Sequence, residues 1–182
     1  MHNKHNYDFF NLLEKQRILM NITDIKFDRK MGSTGDVIIW LLAECGEVLN
    51  EAKFFKYCRD KSINKDRLLS ELTDCLFLYL ELAVRTDFHK SYGSLPGGTN
   101  YDVITSNDDL HLEFAQWIRL ISRAYGRLSV HDKDYVCILH NSMDTLFSLF
   151  NYYGFTQEEI TSMYYKKYET NLIRLKEFNH NA

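Results

Sequence analysis

Apolar residues recur at helical spacing along most of the chain, and polar breaks divide them into six stretches. Phe9, Phe10, Leu12, Leu13, Ile18, Leu19 and Ile22 predict an amphipathic helix over Tyr7 to Ile25, opening near Asp8. Lys26 to Gly35 is polar, holds Gly32 and Gly35, and reads as a loop. Ser33 or Thr34 is positioned to cap a second helix, from about Asp36 to Tyr57, with Asp36 in its first turn facing the macrodipole. A third helix follows over Lys65 to Thr86. The pattern then breaks from Asp87 to Asp109, where SYGSLPGGTNYD and SNDD mark a long loop, the one candidate hinge or lid. Helices resume over Leu110 to Leu128 and Asp132 to Tyr153. Gly154 suits a left-handed helix end, and Thr156 with Glu159 forms a capping box for a last helix over Gln157 to about Phe178. The chain reads as an all-α bundle, one domain over residues 1–182, with no internal repeat.

Composition narrows the picture. A single proline, Pro96, in 182 residues suits long helices, and the length supports one substantial core. A net charge of -3 offers no electrostatic basis for binding nucleic acid or a membrane surface. No segment has the length of a membrane span, and MHNKHNYDFF is too polar for a signal peptide, so a cytoplasmic protein is expected. Cys45, Cys58, Cys75 and Cys137 contain no C-x-x-C pair and read as reduced thiols. Aromatic residues at 14% point to large packed faces or a partner interface.

The candidate chemistry lies between Ala43 and Asp74. Glu44 with Glu47, and Glu71 with Asp74, are each spaced i, i+3, which puts both acids on one face of a helix. One such pair occurs by chance on many acid-rich helices. Here two pairs stand on consecutive helices among apolar neighbours: Ile39, Leu42 and Ala43 before the first, Leu68, Leu72 and Leu76 around the second. Run antiparallel, the two helices bring four carboxylates together, and clustered anions repel unless a cation sits among them. An oxygen-only donor set of this kind suits Mg²⁺. No cysteine has a placed base, so a covalent protein intermediate is not indicated.

Two cationic clusters accompany the acids. Lys53, Lys56 and Arg59 are interleaved with aromatic residues at the end of the second helix, as helix C-termini favour in any case. Near the C-terminus, Lys167, Asn171 and Arg174 stand at i, i+4, i+7 on one helical face. Lysine and arginine there can neutralise phosphate oxygens, or form an ordinary charged surface stripe.

The run Leu42-Ala43-Glu44-Cys45-Gly46-Glu47-Val48-Leu49-Asn50-Glu51, followed by Phe55-Lys56-Tyr57, resembles the first metal-binding helix of the all-α dimeric dUTPases. Glu71-Leu72-Thr73-Asp74 looks like their second, and YYKKYETNLIR looks like their C-terminal phosphate motif. E-x-x-E with E-x-x-D alone marks only the wider all-α NTP pyrophosphatases, the MazG-like group. The resemblance spans roughly Gln16 to Arg174 and implies a homodimer that hydrolyses dUTP and dUDP to dUMP with Mg²⁺, two or more ions, which Mn²⁺ can replace. It further implies that Glu44, Glu47, Glu71 and Asp74 are metal ligands, with Glu44 also acting on the attacking water. Lys56, Lys167 and Arg174 would meet phosphates, Asn171 would lie near the nucleotide, and Gln16 would help form the nucleoside pocket. The chain departs from the family near Met20, at Cys58 where tryptophan is common, and after Arg174, where Leu175-Lys176-Glu177 replaces the usual R-Q-x-x-G-Y. These departures fall on base and sugar positions more than on metal ligands. A related pyrophosphatase with another nucleotide substrate, and a non-catalytic helical protein-binding module, are the alternatives.

Overall fold

The computed structural model describes residues 9–26, 32–54, 62–86, 104 and 106–177. Six helices occupy them in chain order: α1 Phe9–Lys26, α2 Thr34–Glu51, α3 Lys65–Thr86, α4 Asn107–Ser129, α5 Tyr135–Tyr152 and α6 Gln157–Glu177. Among the described residues there is no strand, and the expected all-α class holds. Most of the long segment expected as a hinge, together with Lys56, Cys58 and Pro96, lies outside the described residues.

The bundle is arranged around α3, which packs against α1, α2, α5 and α6, while α4 lies against α2 and α5. From Leu68 to Ala83 this helix is buried on nearly every side, by Leu68, Leu69, Leu72, Thr73, Cys75, Leu76, Phe77, Tyr79, Leu80, Glu81, Leu82 and Ala83. Within that span only Ser70, Glu71, Asp74 and Leu78 stay partly open, and their spacing makes one stripe. One apolar cluster joins all six helices, from Leu12 and Leu13 of α1 to Tyr164 and Tyr168 of α6.

Helix ends follow local chemistry. Ser33 is the N-cap of α2 in a reciprocal capping box with Asp36. Thr156 and Glu159 form the same box for α6, where the Thr156 N–H donates to Glu159 Oε2 at 2.7 Å and the Glu159 N–H to Thr156 Oγ1 at 3.2 Å. Three helices close with paired C-terminal bonds around a left-handed residue. At the end of α5 that residue is Gly154, φ +75°; at the end of α4 it is His131, φ +58°; and at the end of α2 it is Lys53, φ +59°.

The last closure corrects a boundary. The periodicity predicts helix as far as Tyr57, but α2 stops at Glu51, where the N–H groups of Lys53 and Phe54 turn back to the carbonyls of Asn50 and Leu49. The turn lets Phe54 meet His111 and Phe114 of α4 edge-on, with ring centroids 4.4 and 4.8 Å away. Aromatic docking outweighs local helix propensity here. Similarly α5 begins at Tyr135, three residues after the expected Asp132, because Asp132 accepts from the Asp134 N–H and pairs with Arg127 across the turn.

A buried polar chain ties α3 to α4 and α5. The Tyr79 hydroxyl donates to Ser142 Oγ at 2.8 Å and accepts from Trp117 Nε1 at 2.9 Å, while Ser142 donates to the Leu139 carbonyl at 2.7 Å. Tyr79, Trp117 and Ser142 are fully buried, so each polar atom must find its partner inside. Tyr79→Phe strands the indole N–H, and the expected loss is about 1–3 kcal/mol. It should appear as a lower urea midpoint at unchanged slope.

Candidate active site

The open stripe of α3 forms the floor of the site. Glu71 and Asp74 stand one turn apart on it, and Glu44 projects from α2, which lies against α3. One carboxylate oxygen from each of Glu44, Glu71 and Asp74 falls within 4.8 Å of the other two. Glu47, the fourth expected acid, is exposed one turn further along α2 and stands outside that triad. Its charge still reaches the cluster, where it raises the pKa of both Glu44 and Glu71.

Burial is the main reason that the Glu44 carboxyl titrates above its ordinary range, followed by repulsion from Asp74 and Glu71. Glu71 is raised for the same reasons, burial first and Asp74 next. One cation works against this. Lys167 Nζ of α6 pairs with Asp74 Oδ2 at 2.5 Å and draws both glutamates back down. Three oxygen ligands that repel one another, with no histidine or thiolate among them, fit a hard divalent cation such as Mg²⁺.

Two grooves meet at the triad, and both are lined by Asp74 and Asn171. The first, about 360 Å³, runs between the N-terminal turns of α3 and the face of α6 that carries Lys166, Lys167, Thr170, Asn171 and Arg174. Asp66, Arg67 and Ser70 supply its other wall. The second, about 270 Å³, is lined by Gln16 and Leu19 of α1, Trp40 and Glu44 of α2, and Phe77, Leu78 and Glu81 of α3. One groove carries four cations, Arg67, Lys166, Lys167 and Arg174; its neighbour combines the apolar Leu19, Trp40, Phe77 and Leu78 with three acids, Glu44, Asp74 and Glu81.

The polar groups of the second groove are held by neighbours. Gln16 is buried, and its Oε1 accepts from the Tyr164 hydroxyl at 3.2 Å, so its NH₂ is what it can offer a ligand. Glu81 takes two N–H bonds from Arg85, at 2.6 and 2.9 Å, and Arg85 in turn reaches the Gly32 carbonyl at 2.8 Å. That link fastens the approach to α2. Trp40 is half exposed although large and apolar, which leaves a ring face over the groove accessible.

Gln16, Glu44, Asp74, Lys167, Asn171 and Arg174 thus line one continuous depression, with Glu71 in the triad beside it. Sequence reasoning missed Arg67, Lys166, Trp40, Phe77 and Glu81. Arg67 was reachable in principle, since it precedes Glu71 by four residues and Asp74 by seven on the same helical face. Trp40 gave no such signal, because apolar residues at helical spacing read as core.

The family model for dUTPase matches residues 8–178, nearly the whole chain. The chain belongs to the dUTPase family. This dUTPase hydrolyses dUTP to dUMP. No curated protein and no solved structure matches the chain. No helix among the described residues is long and apolar enough to cross a membrane.

Raised carboxyl pKa values in the folded state mean that Glu44 and Glu71 weaken the fold as they ionise, increasingly as pH rises through those values. Glu71→Gln should therefore raise the metal-free melting temperature at neutral pH, by about 1–3 °C. In the parent enzyme Mg²⁺ should raise it, and the variant should lose most of that gain. Scanning calorimetry with and without Mg²⁺ reads both effects.

Proposed function

We propose that this dUTPase is Mg²⁺-dependent, that Glu44, Glu47, Glu71 and Asp74 form its metal site, and that dUDP is a second substrate. The observation that carries the reading is the carboxylate triad standing where a groove lined by four cations meets one that sets Gln16 and Asn171 beside Trp40 and Phe77. Glu44, Glu71 and Asp74 would hold the cation directly, with Glu47 completing the anionic field. When bound, Mg²⁺ supplies Lewis-acid polarisation of the phosphate and makes a water more acidic.

The remaining roles belong to the chain. Glu44, half-buried and raised in pKa, is suited to orient the attacking water and take its proton. Water adds to the phosphorus next to the α-phosphoryl group and that phosphorus's bond to the α–β bridging oxygen breaks, giving dUMP and pyrophosphate from dUTP, or dUMP and phosphate from dUDP. Lys167 and Arg174 neutralise the charge that builds on the departing phosphate oxygens, and Lys56 is proposed to join them. The Gln16 amide and Asn171 offer donors and an acceptor to a uracil base, while Trp40 and Phe77 offer flat apolar faces. A pocket that rejects thymine by one methyl group gains only about 1–3 kcal/mol, whereas cytosine leaves matched polar groups unpaired.

A homodimer is part of the reading. Ile18, Ile22 and Ile25 make an exposed stripe on α1, and Ile39 and Trp40 lie exposed on α2. Light scattering at micromolar concentration should give twice the protomer mass.

Asp74→Asn and Glu47→Gln should each abolish Mg²⁺-dependent turnover while the helical circular dichroism stays unchanged. Wild-type activity in either variant would remove that acid from the metal site. With a nucleotide panel and phosphate and pyrophosphate detection, dUTP and dUDP should be consumed and dTTP, UTP and dCTP used poorly. Equal turnover of dCTP or dTTP would overturn the uracil pocket and leave the pyrophosphatase chemistry standing.

A further inference from the structure

The cationic groove holds one arginine with no role assigned so far, Arg67. Its register comes from two contacts between α3 and α6: Phe77 stacks on Tyr164 with centroids 4.3 Å apart, and Asp74 pairs with Lys167. Residue numbers fall along one helix as they rise along the other, so the helices run antiparallel. Continuing that order sets Asn171 near Ser70 and Glu71, and Arg174 opposite Arg67. Ser70, Asn171, Arg174 and Arg67 all line the same cavity.

We infer that Arg67 is a specificity-determining residue that, with Arg174, grips the terminal phosphate of dUTP and favours the triphosphate over the diphosphate. Three observations carry this. First, α3 measures out the substrate: Phe77, Leu78 and Glu81 line the nucleoside groove, Glu71 and Asp74 belong to the acid triad, and Arg67 lies further toward the N-terminus. Seven residues of helix separate Arg67 from Asp74, a rise of about 10 Å. With the base at one end and the α-phosphate at the acids, the far end of the polyphosphate chain points to Arg67.

Second, the charges there are unbalanced. Arg67, Lys166, Lys167 and Arg174 line the cavity against Asp66 and Asp74, and Asp74 is already paired with Lys167. Third, Arg67 and Arg174 are both exposed, and among the described residues neither guanidinium has an ion-pair partner. Two like charges facing across a groove are stabilised by an anion between them, and a terminal phosphate presents oxygens that match two guanidinium forks. The backbone N–H of Arg67 is bonded to the Asn64 side chain at 3.1 Å whatever side chain residue 67 carries, so substitution leaves the start of α3 intact.

The inference rests on the metal and phosphate reading of the site. Its test uses the enzyme with Mg²⁺ and two ligands that resist cleavage, α,β-imido-dUTP and α,β-imido-dUDP, in titration calorimetry. Arg67→Ala should weaken the triphosphate analogue about tenfold and the diphosphate analogue less than about twofold. Arg67→Lys should recover part of the loss. In turnover the same variant should raise KM for dUTP at nearly constant kcat. Equal weakening of both analogues, or no weakening of the triphosphate, overturns the assignment. Failure of the underlying site reading has a different signature, namely parent enzyme that binds both analogues equally well with and without Mg²⁺.

Discussion

One helix has to be both the centre of the core and the floor of the site, and most of the architecture follows from that. Between Leu68 and Ala83, α3 is covered on all sides except the stripe of Ser70, Glu71, Asp74 and Leu78. Leaving that stripe uncovered requires α1, α2 and α6 to pack on α3 without closing over it. The gaps between those helices are the two grooves. The three acids of the triad are held by the core itself, because each is flanked by buried residues: Leu72, Thr73 and Cys75 on α3, and Cys45 on α2. Burial in that framework, and after it the repulsion among the acids, raises the pKa of the Glu44 and Glu71 carboxyls.

Periodicity alone revealed the helices because the core is built from regular stripes, and α3 was placed at both ends. The boundary of α2 failed because a distant partner decides it. The end of α2 depends on Phe54 meeting a ring pair on α4, some sixty residues away, and nothing near Phe54 signals it. The same division applies to the site. The acid pairs, and the Lys167, Asn171 and Arg174 stripe, were legible because each is a spacing within a single helix. Their convergence depends on α6 lying antiparallel on α3, which is a tertiary fact. Trp40 was illegible for a related reason, since one residue in an apolar run does not announce that its helix neighbours stop short of covering it.

Electrostatically, a net charge of -3 conceals a strong local separation. Acids gather where α2 meets α3, and bases gather where α6 crosses the start of α3. Either group alone would be an unfavourable concentration of like charge in a partly dry groove. Placed side by side, each moderates the other, as the ion pair of Lys167 with Asp74 already does. On the proposed metal site, a cation at Asp74 would compete with Lys167 for the same carboxylate.

That competition would have a further consequence on the proposed metal site. Lys167 lies on the wall of the cationic groove, pairs with Asp74 and lowers the pKa of Glu44 and Glu71. A cation held by the triad would neutralise the acids in its place and release the ammonium group toward a phosphate oxygen. Phosphate binding and metal binding would then be coupled through one lysine, each making the other more favourable. A groove lined with lysines and arginines but lacking that link would hold a polyphosphate equally well with or without metal at the acids.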